Sequence, residues 1–374
     1  MDPSSSHLVL DTSAALAQLS TASPPEHILA LALALKDELE PPHQSNFRVF
    51  CIMTYADDTD GISPLADARP LRAMTGTNCE ACGIHASFCA ERTALVTLRN
   101  RANGFALLRN VRGLYLVCDG LTEITPGLLC REMLSSFIPM STPVWLGARR
   151  ADGSIAVRVV TLDALLPFAH AYRGMRAHAI QQQFAAHRAE FSSARMLNDL
   201  YPDSSPSAAS SSATSPSPSP AAVPRDVLTR LVAAVEAAID RDAQPWHFAR
   251  IAAGVAFADG SVFVAHQDKG LEYGTSVPAE IKIFVELQRR RDSSTSSSSS
   301  SAPSPQPLCL LVIDHLGVWH APCGQARALF SEFGYLNVAV AAWCDRRRVC
   351  AWTTCGELAP ETPRCEALIA QAAE

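Results

Sequence analysis

Residues 202–226 read PDSSPSAASSSATSPSPSPAAVPRD, which is nearly all Ser, Pro and Ala. A segment with so little apolar surface cannot offset the entropy of ordering its backbone, so it is expected to be extended or disordered. It divides the chain into two parts, each of which must build its own core. A second tract, DSSTSSSSSSAPSPQP at residues 292–307, is expected to be an insertion in a surface loop, because strand-like LCLLVID resumes at residue 308. A length of 374 residues, 48% of them hydrophobic, is enough for two such cores.

The two parts read in the same order. The first opens with helical PEHILALALALKDEL (25–39), then strand-like NFRVFCIMTYADD (46–58). Helical CAERTALVTLRNRA (89–102) follows, then the strand LYLVCD (114–119), the Pro-led helix TPGLLCREMLSSF (125–137), and the strands PVWLGA and IAVRVVTL. The second part repeats this with RDVLTRLVAAVEAAI, FARIAAGVAFADGSVFVA, PAEIKIFVELQRRR, LCLLVID, APCGQARALFSEF, NVAVAAW and VCAWTTC. Strands alternating with helices predict an α/β fold, here two tandem domains, each a mixed sheet of about five strands covered by helices. The same order met twice implies a duplicated domain. The expected domains span 25–201 and 227–374, with 202–226 as the linker.

Charge and cysteine usage narrow the class. The net charge is −6, whereas proteins that bind nucleic-acid backbones are usually basic, so nucleic-acid binding is disfavoured. The clusters RRRD (289–292) and DRRR (345–348) read as a solvated helix end and a hairpin turn. No apolar run is long enough to span a membrane, and the first residues lack the basic and apolar regions of a secretory signal. Twelve irregularly spaced cysteines in a long chain suit reduced thiols or a metal site better than a disulfide framework. A cytoplasmic location is the expectation.

The chemistry gathers in TNCEACGIHASFCAER at residues 77–92. Cys89 opens a helix, where the dipole and free N–H groups favour a thiolate. Cys130 lies at the start of a second helix, so two thiolates could face one ion. Glu91 suits a proton shuttle, a carboxylate that takes a proton from water and returns it to a leaving group. A His or Cys, a Glu two residues on and a later Pro-Cys-x-x-Cys make the site of zinc deaminases.

These residues resemble the signature of the nucleoside cytidine deaminases, which have Asn-x-Glu nine residues ahead of Cys-Ala-Glu-Arg, as Glu80 and Cys89 are here. SNFRVFCIM upstream and DGSIAVRVVTLDALLPFAH downstream extend the resemblance over most of residues 25–170. It implies that Asn78 and Glu80 hold the ribose hydroxyls, that Phe47 stacks on the pyrimidine and that the backbone around Ala90 touches the base. It implies zinc on Cys89 and Cys130, Arg92 neutralising the thiolates, and Glu91 moving protons as hydroxide attacks C4. The substrate would be cytidine or deoxycytidine, in pyrimidine salvage, and the assembly a homodimer.

The pattern departs from the family at Gly127, where the first cysteine of Pro-Cys-x-x-Cys should stand. Glycine offers no ligand, and catalytic zinc normally keeps three protein ligands. Cys79, Cys82, Cys118 and His85 are nearby in sequence, but small buried fillers and a loop histidine are the plainer roles. The second part keeps Glu280 and Cys323 but has Pro278 and Ala326 at the other ligand positions, and Gln267 and Lys269 at the sugar clamp. It resembles a non-catalytic second domain. Cys323 is expected at the start of its own helix in its own domain, and not as a ligand of the first site. Three readings stay open: an active deaminase, an impaired relative that binds nucleosides or acts as a scaffold, and a deaminase of nucleic acid. The acidic balance and the sugar clamp speak against the third.

Overall fold

The computed structural model describes residues 16–17, 19–20, 22–56, 71–80, 87–170, 172, 179–180, 182, 188–202, 223–242, 249–269, 276–296 and 306–361. The chain forms two compact units, Met1–Leu165 and Leu166–Glu374. Both are α/β, with mixed sheets of five and six strands. No helix among the described residues is long and apolar enough to cross a membrane.

The first unit begins with α1 (Pro25–Asp37), which has Pro at its start, Glu26 in its first turn and Lys36 in its last, in keeping with the helix dipole. Its buried face, Ile28, Leu29, Ala32 and Leu33, packs on Phe50, Ile52, Tyr115 and Val117. Those partners alternate with Cys51, Met53, Leu114 and Leu116, which face the other side and pack with Ala94, Leu95 and Leu98 of α2 (Ala90–Arg99). Burial on both faces explains why β1 (Val49–Tyr55) and β3 (Val111–Cys118) are nearly continuous apolar runs. With β2 (Arg72–Thr77), β4 (Pro143–Arg149) and β5 (Ile155–Thr161), the sheet order is β2-β1-β3-β4-β5. Between α2 and β3 lies α3 (Gly104–Arg109). The β3–β4 pair is parallel, so it needs a crossover, which α4 (Leu128–Ser135) supplies. The short α5 (Leu162–Leu165) closes the unit.

Gly76 of β2 is where helix and sheet come closest. A Cβ there would stand 2.3 Å from the Ala90 carbonyl oxygen and 2.4 Å from the Ala94 nitrogen, so only glycine lets the first turn of α2 lie on the strand. This contact fixes where Cys89, Ala90 and Glu91 begin.

The second unit repeats the connectivity. α7 (Arg225–Ile239) precedes the hairpin of β6 (Ile251–Phe257) and β7 (Val262–His266). Then follow α8 (Ala279–Ser296), β8 (Pro307–Asp314), the two-residue β9 (Trp319–His320), α9 (Gly324–Glu332), β10 (Ala339–Cys344) and β11 (Val349–Thr354). The order β11-β10-β8-β6-β7 matches the first sheet strand for strand, and β9 adds a sixth by pairing with β8. Even a register irregularity recurs, at Thr54/Tyr55 against β3 and at Ala256/Phe257 against β8. The sequence places the domain boundary after Tyr201, at the Ser/Pro tract. In the structure Tyr172, Phe191 and, on α6 (Ser193–Leu200), Met196 join the core around α7, so the segment from Leu166 packs with the second unit. Composition marks where a core is absent; it does not mark which core a preceding helix joins. Helix α8 also runs to Ser296, into the tract expected to be loop. Residues 203–222 and 297–305, the bulk of the two low-complexity tracts, lie outside the described residues. The basic clusters are solvated and paired, Arg289 and Arg290 with Glu286 and Arg348 with Glu190.

Candidate active site

Two helix starts meet in the first unit. Cys89 is the residue capping α2, in extended conformation (φ −75°, ψ 157°), and Cys130 is fully buried in the first turn of α4. The ligand atoms of Cys89, Glu91 and Cys130 lie within 4.8 Å of one another, and these residues form the only such group of metal-binding side chains among the described residues. Glu91 is 3% exposed.

The electrostatics follow from that crowding. The Cys130 thiol, hydrogen-bonded to the Cys89 sulfur, draws Cys89 down to about 6 against the opposing effect of burial, and the Arg92 guanidinium lowers it further. Cys130 moves the other way, held protonated by that same bond and by burial. The pair thus shares one negative charge. Burial raises the Glu91 carboxyl to about 7, and the neighbouring Cys89 charge adds to the rise. Arg92 Nη2 donates to the Ser87 carbonyl at 2.8 Å and approaches Cys89 Sγ at 3.8 Å, while its guanidinium lies 4.9 Å from the Phe88 ring centroid. Its buried Nε has no hydrogen-bond partner among the described residues.

Gly127 caps α4 (φ −62°, ψ 157°), in a conformation any residue adopts, and it is exposed. A Cβ at Gly127 would meet nothing within 4 Å. Among the described residues, none fills the space beside Gly127. Two soft thiol donors with a carboxylate beside them fit zinc, but only two of the three donors are thiols. Cys79 is exposed, and the Cys118 thiol donates to the Thr122 carbonyl at 3.6 Å; neither joins the group. Cys82 and His85 lie outside the described residues.

The sugar-clamp residues form a second group. Cys79 and Phe88 exchange backbone hydrogen bonds of 2.9 Å, so Glu80 and Cys89 flank one bridge. Asn78 Oδ1 accepts from the Val49 N–H at 2.9 Å, and its Nδ2 donates to the Phe47 carbonyl at 2.9 Å and to Glu80 Oε1 at 3.3 Å. Phe47 is half-buried and Ala90 fully buried. Glu80 accepts from the Ser45 hydroxyl (2.5 Å) and the Ser45 N–H (2.9 Å), which hold its carboxyl below the usual range. Ser45 is a residue that sequence reasoning missed, although it lies two before Phe47 in the quoted SNFRVFCIM. Asp119 is another. It accepts from the Arg48 N–H at 2.7 Å and from the Arg48 Nε and Lys36 Nζ, pinning the chain just after Phe47. Arg131 is the third. Fully buried, it donates to the carbonyls of Pro126 (2.6 Å) and Leu165 (2.8 Å) and to Thr125 Oγ1 (2.9 Å), fixing the turn that carries Gly127. Its signal was present as Cys-Arg in the first part and Ala-Arg in the second.

The second unit has the same frame with other residues. The Asp268–Val277 bridge takes the place of Cys79–Phe88, which puts Pro278 at the Cys89 position and Lys269 at the Glu80 position. Cys323 caps α9 with φ −63° and ψ 161°, as Gly127 caps α4. Glu280 is buried and accepts the Cys323 N–H at 3.0 Å. Lys269 forms a buried ion pair with Asp242 at 2.8 Å.

No family model matches the chain, and no curated protein matches it. Among solved structures, it is similar to cytidine deaminase from Burkholderia pseudomallei, at 22% identity over 37% of this chain and 92% of that one, with a TM-score of 0.28. It is also similar to cytidine deaminase from Mycobacterium leprae, at 19% identity over 36% and 97%, TM-score 0.28. Cytidine deaminase from Bacillus anthracis is similar at 14% identity over 39% and 94%, TM-score 0.29. Each is a resemblance to a part of this chain.

Proposed function

We propose that the first unit is a zinc-dependent deaminase that hydrolyses the 4-amino group of cytidine or deoxycytidine, giving uridine or deoxyuridine and ammonia. The observation that carries this reading is the buried Glu91 carboxyl, raised to about 7, within 4.8 Å of two thiols at helix starts. Cys89 and Cys130 would hold the ion, and bound zinc lowers the pKa of its water to about 7.

Glu91 does the proton work. As oxygen bonds to C4 and the C4–N4 bond breaks, it takes the two protons of the attacking water in turn and delivers one to N3 and the other to the leaving nitrogen, which departs as ammonia. A carboxyl near neutrality is matched to both tasks. Arg92 balances the charge on Cys89. Glu80, ionised and steadied by Ser45, offers an acceptor to ribose hydroxyls. Asn78 sets the position of Glu80 and of the Phe47 backbone, and Phe47 offers the pyrimidine a flat apolar face. The Ala90 backbone, fixed against Gly76, borders the base. The partner is a free nucleoside and not a nucleic-acid polymer, and the assembly a homodimer.

Gly127 favours a second reading, a nucleoside-binding protein without turnover, because it leaves the thiolate set short. Zinc content and the fall of cytidine absorbance separate the two. One zinc per chain with conversion to uridine supports the deaminase. Cytidine binding by calorimetry without conversion supports the second reading.

A further inference from the structure

Glycine at position 127 removes a ligand, yet three donors still face one another. In a tetrahedral zinc set with Zn–S of about 2.3 Å and Zn–O of about 2.0–2.2 Å, donor atoms stand roughly 3.5–3.8 Å apart. The observed group lies within 4.8 Å. Closing it takes a shift of about 1 Å, which rotation of the flexible glutamate side chain provides.

We infer that Glu91 is the third protein ligand of the metal in this chain, standing in for the thiolate that Gly127 lacks. The inference deepens the deaminase reading and rests on it for the identity of the ion. Three observations carry it. Among the described residues, no donor other than Glu91 joins Cys89 and Cys130. Among the described residues, nothing lies within 4 Å of where a Cβ at Gly127 would stand, so none of them takes the place of a side chain there. In the second unit, where Pro278 and Ala326 replace both thiols, the equivalent Glu280 is turned to the Cys323 backbone N–H instead. Two thiolates and a carboxylate carry one more negative charge than zinc neutralises, and Arg92 beside Cys89 supplies the balancing positive charge.

The consequence is a competition. A carboxylate bound to the ion cannot at the same moment accept a proton from water. Glu91 must leave the ion for each proton transfer, and restoring a thiolate at position 127 releases it from that duty.

The test is the zinc affinity of the full-length chain, read by competition with a chromogenic chelator, for wild type, Glu91→Gln, Gly127→Cys and the double variant. An uncharged amide is isosteric with the carboxyl but a poor zinc ligand, and circular dichroism checks that each variant is folded. The expected result is at least a tenfold loss of affinity in Glu91→Gln and its recovery in the double variant. With cobalt in place of zinc, Glu91→Gln shifts the visible absorption bands, which report on the ligands directly. Glu91→Gln binding zinc as tightly as wild type, with unchanged cobalt bands, overturns the inference. Turnover is scored separately. A wild type that deaminates cytidine while Glu91→Gln keeps full zinc affinity sinks this inference and leaves the deaminase. A wild type that needs Glu91 for zinc and converts no cytidine does the reverse.

Discussion

The first and second units hold the same frame around different chemistry. Pro126-Gly127-Leu128-Leu129-Cys130-Arg131 lies on α4 as Pro322-Cys323-Gly324-Gln325-Ala326-Arg327 lies on α9. In both, the arginine is buried and its Nε donates to the proline carbonyl, at 2.6 Å from Arg131 and 2.7 Å from Arg327. The remaining guanidinium nitrogens reach the Leu165 carbonyl and Thr125 Oγ1 from Arg131, and the carbonyls of Pro167, Phe168 and Leu358 from Arg327. A cysteine stands at a different one of these positions in each unit, Cys130 in the first and Cys323 in the second. The frame is therefore held by a buried arginine and a sheet, and it is the same around either set of side chains. What separates the units is whether Cys89 and Cys130 are both present.

The largest expected effect tests the shared frame. Arg131→Leu takes the donor from Pro126, Leu165 and Thr125, and Arg327→Leu takes it from Pro322, Pro167, Phe168 and Leu358 in the second unit. Each is expected to destabilise its own unit by about 3–5 kcal/mol. Hydrogen exchange followed by mass spectrometry reads the two units separately. Loss of protection confined to the mutated unit, and similar for both variants, sharpens the comparison. A silent Arg327→Leu breaks it.

A pH effect of similar order belongs to the first unit. The folded Glu91 carboxyl, raised to about 7, lies above its ordinary 4.5, so the folded state holds this proton more tightly. The associated stability is present below about pH 4.5 and is lost as pH rises through 7, by about 3 kcal/mol. Cys89 has the opposite sign, since its pKa falls from 9.0 to about 6; it adds stability as pH rises from 6 towards 9. In the metal-free protein, Glu91→Gln should flatten the decline in melting temperature between pH 5 and 7. An unchanged slope would remove the case for a buried, protonated Glu91.

Gly127→Cys and Cys323→Gly exchange the residues that distinguish the two caps. The first adds a thiolate where a Cβ meets nothing within 4 Å and the backbone is unstrained. It should raise zinc affinity by about a hundredfold, about 2.7 kcal/mol, without lowering the melting temperature. The second should leave zinc content unchanged, because its neighbours Pro278 and Ala326 offer no thiol. The smallest effect is expected at Ser45→Ala, which removes the hydroxyl's hydrogen bond to Glu80 and keeps the one from the Ser45 N–H. It should raise KM for cytidine a few-fold, with kcat nearly unchanged.

Much of this was legible before the structure. The element order repeated in the two parts because hydrophobic periodicity and turn residues are local signals, and the two sheets agree strand for strand. Cys89, Glu91 and Cys130 were legible by their spacing from helix starts, which is also local. The residues that escaped notice act across the chain. Arg131 stands beside a cysteine in the sequence, but its partner Leu165 lies beyond β4 and β5 in the chain. Asp119 meets Lys36 and Arg48, and only the β1–β3 pairing brings them together. Lys269 read as a lost sugar ligand, whereas it has a buried partner in Asp242. No compositional break marks Leu166, and the packing of Tyr172 and Met196 with α7 is a contact across the chain that composition does not carry. Gly127 was legible as a missing ligand; that its space stands open required coordinates.

The central claim is that the first unit alone carries a metal centre that deaminates a cytosine nucleoside. Zinc content and cytidine conversion, measured on the same purified sample for wild type, Cys89→Ala, Cys130→Ala and Cys323→Ala, test it most directly. The account predicts one zinc per chain and formation of uridine in wild type, both retained in Cys323→Ala and both lost in Cys89→Ala and Cys130→Ala. A wild type without zinc, or zinc and turnover that survive Cys89→Ala, would contradict it.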